Sequence, residues 1–183
     1  MVSVVVPFRG AGGKHRLALP EPARAELALA MLGDVLEACV SVGTTIVVTN
    51  DEAAAELASG LGATRVADPG GGQGAAVAAA LSGLPEGPAL VVNADLPLAR
   101  PGDLEALLAA VPPGGLAYVP AADGTTNALG LSSPSLFAPL YGPGSAARFA
   151  AHVTPAVAVS PPGLVLDVDT VGDLERIGWE PVR

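Results

Sequence analysis

The sequence predicts an α/β fold, an open and mostly parallel sheet covered by helices on both faces, and three observations carry that prediction. Short β-branched runs alternate with longer helical patterns through the first half of the chain. Those runs are apolar at consecutive positions, as strands buried on both faces are. At 183 residues the chain suits one medium domain and is short for two, so residues 1–183 are expected to form a single domain.

Taken in order, "SVVVPF" (3–8) is the first strand. Residues 22–40 place Leu27, Met31, Val35 and Cys39 at four-residue steps, a broad helical stripe closed by Gly43. "TIVVTN" (45–50), "TRVAD" (64–68) and "ALVVNA" (89–94) follow as strands, with helices at 51–60, 74–83 and 102–110 between and after them. Pro101 suits the first turn of the last of these. Strand and helix in alternation imply parallel pairing with helices on both faces. Further on, strands are expected at 116–120, 127–132, 156–159 and 163–168, with a short helix from 145 and a final one from 171. The Gly and Pro clusters read as loops.

Charge narrows the function. A formal net charge of −9 argues against a nucleic-acid surface, which needs clustered Lys and Arg. Residues 1–20 nevertheless hold Arg9, Lys14, His15 and Arg16 with no acid, a local positive patch suited to small anions. Lys14 is the only lysine in the chain, so it stands out as a compact ammonium in a protein that otherwise uses Arg. No apolar run approaches the eighteen or so residues of a membrane span, and "MVSVVVPFRG" lacks a signal-peptide pattern, so a cytoplasmic location is expected. Cys39, the sole cysteine, lies in the helical stripe and reads as a buried, inert thiol.

In open α/β sheets, ligands bind beyond the carboxyl ends of the strands. Asp95 falls there, just past "ALVVNA", and is too far from the helix near Pro101 to cap it; Asp103 serves that first turn. In "GLVLDVDTVGDL" (163–174), Asp167 and Asp169 are two apart on an extended segment and project together, while Val168 turns inward. Thr170 and Asp173 form a capping box for the last helix, which leaves Asp169 for other use. Neighbouring carboxylates need a cation, and a hard oxygen-seeking ion such as Mg²⁺ fits. The glycine-rich "RGAGGKHRL" (9–17) matches neither the dinucleotide fingerprint nor a Walker A in spacing, but its amides with Lys14 and Arg16 can wrap a triphosphate. "YGPGSAARF" puts Ser145 at a helix N-terminus, as an N-cap or an anion contact, with Arg148 in the first turn. "DGTTN" is a turn entering a strand, which gives Thr126 a structural role.

The ordered set "VPFRGAGGKHRL", "LALAMLGDVLEA", "DPGGGQGAAVAAAL", "NADLPL", "GTTNALGL", "YGPGSAARFAAH" and "LDVDTVGDL" resembles the guanylyltransferases of coenzyme F-420 biosynthesis over nearly the whole chain. These are glycosyltransferase-A-like nucleotidyltransferases with a Rossmann-like three-layer α/β/α fold. The resemblance implies transfer of GMP from GTP to phosphoenolpyruvate or 2-phospho-L-lactate with release of diphosphate. It implies magnesium at Asp95, Asp167 and Asp169 and acceptor contacts at Thr126, Gly142 and Ser145, and Lys14 matches the family's loop lysine; the residues themselves add Arg148 to the expected substrate contacts and catalytic charge neutralisation by Lys14 and Arg16. Nucleotide contacts are expected at Arg9, Gly12, Gly13, Lys14, Gly72 and Gly74. Phosphoenolpyruvate is preferred because the Ala-, Gly- and Pro-rich composition suggests a GC-rich source. The chain departs from the family at Gly72-Gln73-Gly74, where Gly-Leu-Asn is common, and at Arg9 and His15, where Lys and Ser are common. Expected partners are GTP and a small phosphorylated acid, without nucleic acid or membrane; a homodimer and hand-over of the product to the next enzyme stay open. Two other readings are a molybdopterin guanylyltransferase, which lacks segments like "GTTNAL" and "YGPGS", and a nucleotide-binding regulatory module without turnover.

Overall fold

The computed structural model describes residues 2–10 and 19–179. The chain runs β1 (Ser3–Pro7), α1 (Ala23–Val40), β2 (Thr44–Val48), α2 (Glu52–Gly60), β3 (Thr64–Val66), α3 (Gln73–Leu81), β4 (Ala89–Val92) and α4 (Pro101–Ala109). It continues with β5 (Leu116–Pro120), β6 (Thr126–Leu131), α5 (Ser145–His152), β7 (Ala156–Ala158) and α6 (Val171–Ile177). One sheet takes the order β3-β2-β1-β4-β6-β5-β7. β1 pairs in parallel with β2 and β4, β2 with β3, and β5 with β7, whereas β6 runs antiparallel between β4 and β5.

Alternate residues of β1 divide the core in two. Val4 and Val6 face a cluster that includes Leu32, Val35 and Leu36 of α1 and Leu104 and Leu107 of α4. Val5 faces the opposite layer, with Ala76, Val77 and Ala80 of α3 and Phe149 of α5. Burial on both sides explains why these strands are apolar throughout. The three layers are thus helices, sheet, helices.

Local signals fix the element ends. The Asp51 side chain accepts from the Ala54 N–H at 3.0 Å and caps α2. The Arg100 N–H donates to Asp103 Oδ2 at 3.0 Å at the start of α4. Gly43 follows α1 because the chain passes close to β1: a Cβ there would lie 2.4 Å from the Val2 carbonyl oxygen. Cys39 is fully buried, and burial pushes its thiol up to about 12, so it is inert as its sequence context indicates. No helix among the described residues is long and apolar enough to cross a membrane.

One expected strand is corrected. Residues 163–168 do not join the sheet; Pro162–Leu164 form a single 3-10 turn and the chain then runs irregularly to α6. Both edges of β4 and of β6 are already paired, so neither leaves a free edge there.

Candidate active site

The segment that fails as a strand still works as a carrier. Val168 is fully buried against Met31 of α1, while Asp167 and Asp169 on either side of it are only partly buried. The Val168 N–H donates to the Asp95 carbonyl at 3.0 Å, which ties this segment to the turn after β4. Asn127, buried at the start of β6, donates from Nδ2 to the Leu164 carbonyl at 3.0 Å. The Gly163 N–H donates to Asp103 Oδ1 at 3.2 Å, so Asp103 starts α4 with one oxygen and holds this segment with the other. Behind it, α6 begins with the expected capping box: Thr170 Oγ1 accepts from the Asp173 N–H at 3.2 Å, and Asp173 Oδ2 accepts from the Thr170 N–H at 2.7 Å. Trp179 Nε1–H donates to Asp34 Oδ2 at 2.6 Å and pins the end of the segment to α1.

The result is convergence. One carboxylate oxygen each from Asp95, Asp167 and Asp169 lies within 4.8 Å of the others. Asp95 and Asp169 line a cavity of about 250 Å³ at the carboxyl end of β1 and β4, together with Arg9, Gly10, Gln73 and Asn93. Three partly buried carboxylates at this separation form the donor set that a hard divalent cation takes.

A second cavity, about 520 Å³, adjoins the first, and Gln73 lines both. Its floor is the turn into α3, where Gly70, Gly71 and Gly72 all have positive φ (81°, 83° and 96°). The turn is anchored to the end of β2, since Asn50 exchanges two hydrogen bonds with the Asp68 backbone, at 2.8 and 3.1 Å. Gly74 lets α3 approach the opposite wall, because a Cβ there would sit 2.7 Å from Pro139 Cβ. Gly142 and Tyr141 complete that wall.

Thr126 and Ser145 meet: their hydroxyls lie 3.0 Å apart and both residues are buried. Ser145 is therefore not the N-cap of α5. Gly144 occupies the cap in the left-handed region (φ 73°), and Ser145 is the first helical residue. Arg148, expected among the substrate contacts, engages backbone carbonyls. Its guanidinium donates to the carbonyls of Leu140 (2.9 and 3.1 Å), Tyr141 (3.2 Å) and Pro143 (2.7 Å) and so clamps the turn that presents Gly142. The Tyr141 hydroxyl is buried with no hydrogen-bond partner among the described residues, and burial pushes its pKa upward, so it stays protonated.

Of the nucleotide contacts expected, Arg9 is exposed at the mouth of the first cavity and Gly72 and Gly74 line the second. Gly12, Gly13, Lys14 and Arg16, with His15, lie outside the described residues. Sequence reasoning missed Gln73 and Asn93 as a pair. The one available signal was a polar residue inside each of two otherwise apolar or glycine-rich segments.

A MobA-like NTP transferase domain model matches residues 11–159. Together with the sheet order and the cavity at the strand ends, this makes the protein a nucleotidyltransferase. Curated relatives named phosphoenolpyruvate guanylyltransferase align along most of the chain. That of Nocardia farcinica is 41% identical over 180 residues, covering 89% of this chain and 78% of its own. That of Salinispora arenicola is 37% identical over 192 residues, covering 98% and 90%. The chain belongs to the phosphoenolpyruvate guanylyltransferase family. Among solved structures, a nucleotidyl transferase from Methanothermobacter shares the fold with a TM-score of 0.67 at 21% identity, covering 97% of this chain and 95% of that one. The glucosyl-3-phosphoglycerate synthase of Mycobacterium tuberculosis, solved with Mn²⁺ and UDP, does so at 0.60 and 13% identity, covering 87% and 69%.

Proposed function

We propose that this protein transfers GMP from GTP to phosphoenolpyruvate, releasing diphosphate, as a step of coenzyme F-420 biosynthesis. The observation that carries the reading is the meeting of Asp95, Asp167 and Asp169 within 4.8 Å at a cavity beyond the strand ends. The choice of acceptor follows the name its relatives carry.

In this reading Asp95, Asp167 and Asp169 would hold magnesium, which would supply neutralisation of phosphate charge. A phosphate oxygen of the acceptor attacks the α-phosphorus of GTP, the bond from that phosphorus to the bridging oxygen breaks, and diphosphate leaves. The attacking oxygen is already an anion, so the chain supplies neither a general base nor an activated nucleophile. Its task is to bring two anions together in line and neutralise them. Lys14 and Arg16 perform the neutralisation, with Arg9 at the cavity mouth. Gly12, Gly13, Gly72 and Gly74 let the backbone approach the nucleotide closely.

Thr126, Gly142 and Ser145 hold the acceptor. The two hydroxyls share one hydrogen bond, which uses one of their two hydrogens and leaves the other to donate. Arg148 positions the Gly142 turn through carbonyls. The test is diphosphate release from purified protein with GTP, Mg²⁺ and, separately, phosphoenolpyruvate, 2-phospho-L-lactate, 3-phosphoglycerate or no acceptor. Release that requires phosphoenolpyruvate is expected. Equal release without an acceptor, or GTP binding with no release, would overturn the proposal, the latter in favour of a regulatory module.

A further inference from the structure

Gln73 sits where the two cavities meet, and its orientation is dictated by chemistry. The Thr126 carbonyl can only accept, so the Asn93 atom facing it at 3.1 Å is the amide nitrogen. That turns Asn93 Oδ1 towards Gln73, and the Gln73 atom 2.7 Å from it must in turn be Nε2. The Asn93 backbone is itself fixed, its N–H donating to the Asn127 carbonyl at 3.0 Å. The relay leaves Gln73 Oε1 as an acceptor of fixed direction at the first residue of α3, and no group among the described residues donates to it.

On the reading proposed above, the ligands are GTP and phosphoenolpyruvate. At neutral pH the phosphates of both and the carboxylate of phosphoenolpyruvate are acceptors, and phosphoenolpyruvate carries no N–H or O–H of its own. An amide oxygen facing them would repel rather than bind. The donors in the pair are the guanine N1–H and 2-amino group and the ribose hydroxyls. We propose that Gln73 is a specificity-determining residue whose Oε1 accepts a hydrogen bond from the nucleoside half of GTP, held in place by Asn93 and Thr126. This inference rests on GTP being the donor, not on the identity of the acceptor.

The experiment is calorimetric titration of the wild type, Gln73→Met and Gln73→Ala with GTP, ITP, 1-methyl-GTP, 2′-deoxy-GTP and 3′-deoxy-GTP in Mg²⁺, with melting curves to show that each variant is folded. A single neutral hydrogen bond predicts that wild type prefers GTP over one of these analogues by about three- to tenfold. Both variants should bind GTP weaker by the same factor and lose that preference, while KM for phosphoenolpyruvate stays unchanged at saturating GTP. The analogue whose deficit disappears identifies the group that donates to Gln73. Variants that keep the wild-type preference over all four analogues overturn the proposal, as does a wild type that does not bind GTP. A wild type that binds GTP with Gln73-dependent preference but transfers nothing would overturn the transfer reading and leave this one standing.

Discussion

The cleanest perturbation of the site does not touch a carboxylate. Gly163 precedes the segment that carries Asp167 and Asp169, and a Cβ there would lie 2.3 Å from Asp103 Oδ2 and 2.4 Å from the Leu98 carbonyl oxygen. The Leu98 atom is backbone and cannot swing aside, so Gly163→Ala must move the segment by about 1 Å to reach ordinary contact distances. That shift breaks the bond from the Gly163 N–H to Asp103, about 1.5–3 kcal/mol for a charged acceptor, and adds overpacking strain of about 1–3 kcal/mol. A loss of about 2.5–6 kcal/mol corresponds to a melting temperature lower by roughly 5–24 °C in a domain of this size. Displacing two of the three converging carboxylates by that distance should also cut acceptor-dependent diphosphate release by about a hundredfold. Gly102→Ala is the control. Nothing lies within 4 Å of its Cβ on α4, and it should raise stability by up to about 1 kcal/mol. Differential scanning fluorimetry and a diphosphate assay read both variants; a Gly163→Ala protein with wild-type melting and turnover would refute the account of how the segment is held.

Asp95→Asn should keep the circular-dichroism spectrum of the wild type and lose about a hundred- to a thousandfold in turnover, together with any rise in melting temperature on adding Mg²⁺. Arg148→Ala should raise KM for phosphoenolpyruvate by about tenfold and leave KM for GTP unchanged, because the carbonyl clamp holds the Gly142 turn; steady-state kinetics in each substrate decides it. Tyr141→Phe removes a buried hydroxyl that has no partner among the described residues and should raise the melting temperature by about 2–4 °C, read by fluorimetry. Burial acts to raise the Asp173 carboxyl, but hydrogen bonds from Thr170 and Asp169 and the Arg176 guanidinium outweigh it and hold the group below its ordinary value of 3.8. A depressed carboxyl stabilises the fold above that ordinary value and loses its contribution as pH falls through the folded one, so Asp173→Asn should flatten the acid limb of melting temperature against pH.

Much of this fold was legible because its strands bury both faces. Consecutive β-branched residues at 3–8, 45–50 and 89–94 leave little room for another reading, and the periodic stripe from Leu27 to Cys39 matches α1 closely. Local chemistry was legible for the same reason. Thr170 and Asp173 cap α6 through atoms three residues apart, and a sequence displays such spacing directly. The expected strand at 163–168 failed on a non-local fact: whether β4 or β6 offered a free edge depended on the placement of every other strand. The alternative reading of Ser145 as an N-cap failed likewise, since its hydroxyl turned to Thr126, nineteen residues away in sequence, and Gly144 took the cap. Gln73 and Asn93 are twenty residues apart on different elements, and neither signals the other along the chain.

The three carboxylates were nonetheless recognisable although the strand expected at 163–168 does not exist. An extended segment keeps the two-residue alternation of side chains whether or not it pairs in a sheet, so Asp167 and Asp169 project together with Val168 beneath them. What the missing ladder would have supplied comes instead from single hydrogen bonds: Val168 to Asp95, Asn127 to Leu164, Gly163 to Asp103 and Trp179 to Asp34. Two of these begin or end on the turn after β4 and on the helix that follows it, so the Asp167–Asp169 pair is referenced to the same backbone that carries Asp95. A sheet ladder would have tied Asp167 and Asp169 to a neighbouring strand and made their distance from Asp95 depend on the twist between strands. The direct tie makes the separation of the carboxylates a local property of two turns, which is the separation a shared cation would require to be constant.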